Sequence, residues 1–222
     1  MTPFQSVRNY LAGQVVGITR DDALLHELLK LILCMAGTKK SSYTQIEKKW
    51  PSIRVEFSSL FEPGEQLKIN ELHFGNIEAW LHQALANPES DIFGDLYEVF
   101  ASDIMKAAGG QYFTPRVAVN FLVEAIAPKA HETVIDPACG AGGFLAEVAE
   151  AHLRNGVQAE KVTGLLRGIE KDEYLSNLAL SRLGILTGHA SKIINGDSLS
   201  LATQSGPIVD PESLRSDVVL TN

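Results

Sequence analysis

The sequence predicts an α/β fold with a doubly wound parallel sheet, preceded by a small all-helical domain. From about residue 108 onward, short β-branched runs alternate with helical stretches, a pattern typical of parallel βαβ units. Before that point, apolar residues recur at helical spacing and no strand pattern stands out. We therefore expect a helical domain over residues 1–107 and a sheet domain over 108–222.

In the first domain, Asp21 and Asp22 precede an apolar series that Gly37 ends, which predicts one helix. Further helices are predicted over 43–50, 76–87 and 94–107. In the second domain the pattern predicts helices over 116–127, from the glycine-rich segment to about 155, and over 173–186. Strands are predicted over 133–135, 165–169, 191–194 and 217–220.

Right-handed crossovers between these strands make the sheet doubly wound, with helices expected on both of its faces. The last predicted strand is apolar and ends the sequence, so its edge would be exposed. We therefore expect further strands after Asn222 and interpret the domain as truncated after its fourth strand.

Composition limits the possible functions. The chain has two cysteines and six scattered histidines, a pattern that favours neither a disulfide framework nor a metal site. The longest apolar candidate, 28–36, is interrupted by Lys30 and is too short to span a membrane, and the N-terminus lacks a signal core, so we expect a cytoplasmic protein. The formal net charge of −8 disfavours a protein that grips DNA unaided, because phosphate contacts require a basic surface.

The strongest local signal is the eleven-residue string VIDPACGAGGF at 134–144. It predicts a strand, an acidic residue, a glycine-rich loop and a helix. Glycines allow a ligand to approach the backbone closely. Asp136 at the loop entrance would repel a phosphate and suits a cationic ligand instead. The alternative for such a loop is a tight strand-to-helix turn without a ligand.

Two further acidic residues follow predicted strands. Glu170 ends the second strand, where a carboxylate commonly accepts hydrogen bonds from ribose hydroxyls. Asp197 follows the third strand in an Asn-Gly-Asp sequence and could accept a hydrogen bond from an adenine amino group. Taken alone, each has an ordinary explanation as a strand end or a turn. Their order after the glycine loop favours a nucleoside site.

These strings together resemble the adenine-N6 DNA methyltransferases, most closely the modification subunits of type I restriction-modification systems. The resemblance rests on GQYFTP at 110–115, DPACGAGGF at 136–144, GIE at 168–170, NGD at 195–197 and DVVLTN at 217–222. It covers nearly the whole chain, and the glycine-loop string is its most specific part. It implies a Rossmann-like methyltransferase domain and S-adenosylmethionine as cofactor.

The resemblance also implies roles for individual residues. The segment Gln111, Tyr112, Phe113 and Thr114 would close over the methionine end of the cofactor. The amino-acid moiety would be held by Asp136 and the loop residues Ala138, Gly140, Gly142 and Gly143. Glu170 would bind the ribose and Asp197 the adenine, while Phe144 would flank the cofactor or the core behind it.

The family's catalytic motif is Asn-Pro-Pro or Asp-Pro-Pro followed by an aromatic residue, and Asn222 corresponds to its first position. In that motif the Asn side chain accepts a hydrogen bond from the amino group of the flipped target base. With only the Asn present, we expect the 222-residue chain itself to be inactive. The resemblance further implies double-stranded DNA as substrate, a specificity subunit and possibly a restriction subunit as partners, and no membrane.

Three alternatives stay open. The chain could be a non-catalytic module that binds S-adenosylmethionine or supports assembly. It could methylate a different planar amide or nucleobase, such as glutamine or RNA. A nicotinamide dehydrogenase is the third, although the glycine spacing and Asp136 argue against it.

Overall fold

The computed structural model describes residues 1–15, 20–38, 40–86, 91–101, 114–200, 202–203, 206–207 and 211–222. The chain forms two compact units, Met1–Gln111 and Tyr112–Asn222, which we call the helical unit and the sheet unit. No helix within the described ranges is both long and apolar enough to cross a membrane.

The helical unit contains five described helices. They are α1 (Pro3–Gln14), α2 (Asp21–Met35), α3 (Tyr43–Glu56), α4 (Glu71–Leu85) and α5 (Ile92–Phe100). Helix α2 is the central element, because nearly all of its side chains from Leu24 onward are buried. It contacts α1, α3 and α5.

Side-chain caps explain where these helices begin. Thr2 and Ser42 start α1 and α3 through capping boxes, in which a Gln three residues later returns the hydrogen bond. The side chain of Asn70 caps α4 by accepting the His73 main-chain N–H at 3.0 Å. This cap starts α4 at Glu71, five residues before the predicted start.

The other predictions for this unit hold in part. The series that ends at Gly37 forms α2, as its spacing predicts. Helix α3 continues past its predicted end at residue 50, with Pro51 inside it. Helix α1 was not predicted individually. Helix α5 ends at Phe100, and residues 102–107 of the predicted 94–107 helix lie outside the described residues.

A buried ionic network ties the segment after α3 to α2. Lys30 is completely buried and donates to Glu27, which is also buried. The Lys30 ammonium lies 2.7 Å from a carboxylate oxygen of Glu65 and donates to the Gln66 carbonyl at 2.9 Å. The second Glu27 oxygen accepts the Lys68 main-chain N–H at 2.9 Å. Each buried charge therefore has several partners, as burial requires.

The sheet unit alternates helices and strands as predicted. Its helices are α6 (Arg116–Ile126), α7 (Gly143–Arg154), α8 (Ala159–Leu165) and α9 (Glu173–Thr187), with a 3-10 helix at Pro211–Leu214. Its strands are β1 (Val134–Asp136), β2 (Leu166–Glu170), β3 (Lys192–Asn195), β4 (Ala202–Thr203), β5 (Gly206–Pro207) and β6 (Val218–Val219).

The main sheet has four parallel strands in the order β3-β2-β1-β6. The chain moves outward from β1 to β3 and then returns past β1 to form β6 on its other side. Such a reversal of strand order creates a crevice at the carboxyl ends of the strands, where ligands bind in open α/β sheets. The doubly wound, Rossmann-like class predicted from the sequence is confirmed.

Successive strand residues face opposite sides of this sheet. Val134 and Leu166 belong to the large core formed with α6, α7 and α9. Ile135 and Ile169 face the other side, where they form a small cluster with Leu214 of the 3-10 helix. Because right-handed crossovers that run in opposite directions lie on opposite faces, the return to β6 passes over this second face.

Several details differ from the predictions. The four predicted strands are present, and β1, β2 and β3 each begin and end one residue later than predicted. Helix α8 and the antiparallel β4–β5 ribbon were not predicted, since both are short. Helices were expected on both faces, but the α-helices described in this unit pack on one face and only the 3-10 helix covers the other.

Candidate functional site

The candidate site lies where the parallel strands end at the switch between β1 and β6. Strand register places Asp136 of β1 beside Gly168 of β2, and Glu170 of β2 beside Asn195 of β3. Strand β6 pairs with the opposite edge of β1 through Ile135 and Val219. Parallel pairing therefore brings the predicted cofactor residues of β1 and β2 and the β6 end to one edge of the sheet.

The glycine loop connects β1 to α7 and lies against the end of β2. The Cys139 main-chain N–H donates to the Ile169 carbonyl at 3.0 Å, which joins the loop to β2. Gly142 has φ +78°, and a Cβ at this position would lie 3.1 Å from the Cβ of Ala179 in α9. Glycine is therefore required at 142 both for backbone conformation and for close packing. Gly140 also has a positive φ of +53°.

Asp136 is buried at the entrance of this loop, with 2% of its surface exposed. Its carboxylate accepts the Ala138 main-chain N–H at 3.1 Å. Burial, and to a smaller extent the negative charge of Glu170, raise the pKa of Asp136 from 3.8 to about 6, against the lowering effect of hydrogen bonds from Ala138 and Thr221. A nearby positive charge would therefore stabilise the ionised carboxylate.

Glu170 is held at the end of β2 by main-chain donors. One carboxylate oxygen accepts the Gly140 N–H at 2.8 Å, and the other accepts the Asp172 N–H at 2.8 Å. A carboxylate oxygen has two lone-pair directions, so each can accept one more hydrogen bond. Glu170 is thus fixed in position and retains acceptor capacity for a pair of hydroxyl groups.

Asn195 locks the end of β3 to the end of β2. Its side-chain amide donates to the carbonyls of Glu170 and Lys171, at 3.0 and 3.1 Å, and the Gly196 N–H also donates to the Glu170 carbonyl. The sequence predicts a role for Asp197 but none for Asn195. Its position immediately before the Gly-Asp pair was the available signal, because Asn bonds readily to nearby main chain.

Asp197 lies farther out and is partly exposed. Its carboxylate accepts the Leu199 main-chain N–H at 3.0 Å and pairs with the Lys171 ammonium at 3.4 Å. The Leu199 hydrogen bond, helped by Lys171, lowers the pKa of Asp197 below its usual value. The pKa of this carboxylate thus shifts in the opposite direction to that of the buried Asp136.

Asn222 lies just after β6 and contacts a segment 108 residues away in sequence. Its side-chain amide donates to the hydroxyl of Thr114 at 3.1 Å. The residue before it, Thr221, hydrogen-bonds through its side chain to Asp136. The start of α6, the end of β1 and the end of β6 are therefore connected by polar side chains.

Other residues of the predicted site and its glycine loop either pack in the core or lie outside the described residues. Phe144 is 4% exposed and packs in the large core, so of its two predicted positions it occupies the one behind the site. Cys139 is buried in the same core, and burial raises the pKa of its thiol well above the usual value, as suits a packing residue. Gln111, Tyr112 and Phe113 lie outside the described residues.

The geometry suits a nucleoside ligand that carries a positive charge. Asp136, Glu170 and Asp197 follow three adjacent strands, with a glycine loop beside them, and Glu170 keeps the acceptor capacity that ribose hydroxyls require. A phosphate would be repelled by these carboxylates. Strand order and site therefore define the sheet unit as a Rossmann-like domain of the class that binds nucleoside cofactors.

The family model for N-6 DNA methylases matches residues 88–222. The match covers more than half of the chain, and the chain belongs to this family. It is also similar to the type I restriction enzyme EcoEI methylase subunit of Escherichia coli, with 32% identity over 111 residues, 48% of this chain and 21% of the relative. The MjaIX methylase subunit of Methanocaldococcus jannaschii is 32% identical over 111 residues, 49% of this chain and 19% of the relative.

Among solved structures, the type IIG restriction endonuclease BpuSI matches with a TM-score of 0.55 and 20% identity. The match covers 98% of this chain and 27% of that chain, and it shows the shared fold. The chain spans about a fifth of the length of the two curated methylase subunits that it matches.

Proposed function

We propose that this protein transfers the methyl group of S-adenosylmethionine to N6 of adenine in DNA, as the modification subunit of a type I restriction-modification system. The observation that carries the proposal is the position of Asn222. It follows the strand that pairs with β1, and Asp136 ends β1. Asn222, predicted to bind the substrate, and Asp136, predicted to bind the cofactor, thus lie at the carboxyl ends of two neighbouring parallel strands.

The described residues fit the cofactor. Asp136 has a raised pKa that a cationic ligand would lower, which suits the ammonium group of the amino-acid moiety. Glu170 has free acceptor capacity for the ribose hydroxyls, and the Asp197 carboxylate can accept from the adenine amino group. When bound, the cofactor supplies an electrophilic methyl group on a sulfonium.

Asn222 would hold the acceptor nitrogen. Its Oδ1 accepts a hydrogen bond from the target amino group, which directs the nitrogen lone pair toward the methyl carbon. In this position the amino nitrogen would accept the methyl group that the sulfonium of the bound cofactor supplies, and it would release one proton. Such alignment of reacting atoms is a large part of catalysis in direct transfer reactions.

The negative charge of the chain supports the assignment of DNA recognition to a different subunit. A formal net charge of −8 leaves little basic surface for phosphate contacts. We therefore assign recognition of double-stranded DNA to a separate specificity subunit, and cleavage of unmodified DNA to a restriction subunit. The methylase subunits that the chain resembles carry type I restriction enzyme names, which supports this assignment.

Calorimetric titration of this chain with S-adenosylmethionine tests the cofactor site. We expect saturable binding that Asp136→Ala abolishes and that Asp217→Ala retains. Asp217 is the matched control because it is an exposed carboxylate that binds Thr133 on the other side of the unit. Equal binding by both variants would contradict the proposed position of the cofactor.

The substrate is tested with the full-length gene product, its copurifying subunits, radiolabelled S-adenosylmethionine and duplex DNA. We expect N6-methyladenine in the digested DNA, identified by mass spectrometry. Label on cytosine, RNA or protein would reject adenine as the target. Cofactor binding without any transfer would instead favour a non-catalytic binding module.

A further inference from the structure

The contact between Thr114 and Asn222 joins the proposed substrate-binding residue to the start of α6. The two side chains are 108 positions apart and meet through one hydrogen bond of 3.1 Å from the Asn222 amide to the Thr114 hydroxyl. Thr114 is half-buried, whereas Asn222 is exposed. Exposed side chains rarely hold one orientation unless a partner restrains them, and in this structure the hydrogen bond restrains the Asn222 side chain with Nδ2 facing Thr114.

Both partners are supported by the same core. Thr114 precedes Pro115, which restricts its backbone to extended conformations, and Pro115 occupies the N-cap position of α6. Val119 and Val123 of α6 pack in the core that also contains Leu220, two residues before Asn222. Packed cores resist deformation. The distance between the start of α6 and the end of β6 is therefore set before any ligand binds.

The hydrogen bond has a chemical consequence for Asn222. A side-chain amide has two donors on Nδ2 and one acceptor oxygen, Oδ1. With Nδ2 turned toward Thr114, Oδ1 points away from it and accepts no hydrogen bond from the described residues. An acceptor that lacks a partner in the protein is available to the amino group of a substrate.

We propose that Thr114 is a positioning residue that selects the orientation of the Asn222 amide and so presents Oδ1 to the substrate amino group. This inference rests on the proposed methyl transfer. It places the effect of Thr114 in the chemical step, whereas a residue that only held the methionine end of the cofactor would act on cofactor affinity. The two roles predict different measurements.

The test uses three variants of the full-length gene product in its complex. Thr114→Val keeps the shape of the side chain but removes the hydroxyl, and Thr114→Ser keeps the hydroxyl. Thr163→Val is the matched control, because the Thr163 hydroxyl donates only within α8, to the Ala159 carbonyl. For each protein, the single-turnover methyl-transfer rate at saturating S-adenosylmethionine and the Kd of the cofactor are measured.

We expect Thr114→Val to lower the transfer rate by about tenfold, the effect of one lost hydrogen bond, while its Kd changes by less than about threefold. Thr114→Ser should recover most of the rate, and Thr163→Val should match the wild type. A weaker Kd with an unchanged rate at saturation would overturn the proposal, and so would no change in either quantity.

A second measurement, on the 222-residue chain, does not depend on activity. The side-chain amide of Asn222, labelled with ¹⁵N and assigned by its loss in Asn222→Asp, should exchange protons with water faster in Thr114→Val than in the wild type or Thr114→Ser. Equal exchange in all three would overturn the positioning role. If exchange differs as expected but no adenine is methylated, the proposed function fails and the orientation of Asn222 by Thr114 stands.

Discussion

The helical unit and the sheet unit each bury a charged group, and the two groups differ in the charges that surround them. In the helical unit, Lys30 has Glu27, Glu65 and a main-chain carbonyl around it. Burial opposes ionisation of Glu65, yet hydrogen bonds from Lys30 and His26 outweigh burial and lower the pKa of Glu65. In the sheet unit, Asp136 lacks a cationic partner among the described residues, and its pKa is raised to about 6.

This difference separates a structural ion pair from a ligand site. A buried charge that other groups of the protein neutralise contributes to a defined fold, and it gains little from a ligand of opposite charge. A buried carboxylate with a raised pKa is destabilised until a positive charge reaches it, and such groups are enriched at functional sites. The contrast predicts that substitutions at the two positions have opposite effects on stability.

The largest expected effect is at Lys30. Lys30→Met leaves Glu27 buried without its cation, and we expect the free energy of unfolding to fall by about 3–5 kcal/mol. Urea unfolding followed by tryptophan fluorescence measures it, since Trp50 and Trp80 both lie in the helical unit. The exposed Lys68→Met is the control, with an expected change within about 0.5 kcal/mol.

A double variant sharpens the interpretation of that loss. Adding Glu27→Gln to Lys30→Met removes the uncompensated charge and keeps an acceptor for the Lys68 N–H. We expect much of the lost stability to return. A double variant as unstable as Lys30→Met alone would show that lost packing, and not the charge, dominates.

The second expected effect is a pH dependence at Asp136. Because the folded-state pKa is about 6 and the ordinary value is 3.8, the folded protein binds this proton more tightly. Ionisation therefore costs stability as pH rises from about 4 to 6, by at most about 3 kcal/mol. Asp136→Asn removes this cost. The variant should gain stability relative to the wild type between pH 5 and pH 7.5, measured by thermal unfolding without cofactor.

The same group should make cofactor binding depend on pH. A cationic ligand favours ionised Asp136, so the Kd for S-adenosylmethionine should decrease as pH rises through about 6 and then level off. For the pH dependence of stability, Asp217→Asn provides a control of opposite sign, because hydrogen bonds from Thr133 lower the pKa of Asp217. Its wild-type carboxylate contributes stability above its ordinary pKa, and that contribution is lost as pH falls. Cofactor affinity that is independent of pH would contradict the proposed contact with Asp136.

A smaller effect is expected in the glycine loop. Gly142→Ala places a methyl group 3.1 Å from the Ala179 Cβ at a φ of +78°, so both packing and backbone are strained. We expect a loss of about 1–3 kcal/mol in the free energy of unfolding. Gly143→Ala is the matched control, since the new Cβ meets nothing within 4 Å and the backbone has no positive φ. Equal losses at both positions would show that the contact with α9 does not determine the glycine.

The architecture of the sheet unit could be predicted because each strand and its helix have local signals. Val134, Leu166 and their neighbours form short β-branched or aliphatic runs, and a parallel sheet then brings their carboxyl ends together. The approach of Asp136 and Glu170 follows from that rule alone. Helix α8 and the β4–β5 ribbon could not be predicted, because seven residues and two-residue strands carry too little periodicity.

The missed parts of the site depend on contacts between distant residues. The bond from Asn222 to Thr114 depends on packing between α6 and β6, which no local pattern encodes. The raised pKa of Asp136 depends on how completely the loop covers it. The partners of Asn195 likewise follow from the register of β3 against β2, which becomes known only when the sheet is assembled.

The smallest expected effect is at Asn195. Its substitution distinguishes a residue that supports the ligand-binding side chains from one that contacts the ligand. Its amide donates to the carbonyls of Glu170 and Lys171, so it supports the ribose-binding carboxylate without itself being assigned to the ligand. Asn195→Ala removes both hydrogen bonds, and we expect the Kd for S-adenosylmethionine to rise about tenfold. Asn155→Ala, at the exposed end of α7, is the matched control and should bind as the wild type does.

The form of that loss distinguishes local support from general destabilisation. If Asn195 acts through Glu170, adenosine, which carries the ribose but no methionine, should lose affinity by the same factor as the complete cofactor. Asn195→Asp should be worse than Asn195→Ala, since a carboxylate would face two carbonyl oxygens. Loss of affinity for the complete cofactor with unchanged adenosine binding would place the effect of Asn195 at the methionine end and contradict the assignment of Glu170 to the ribose.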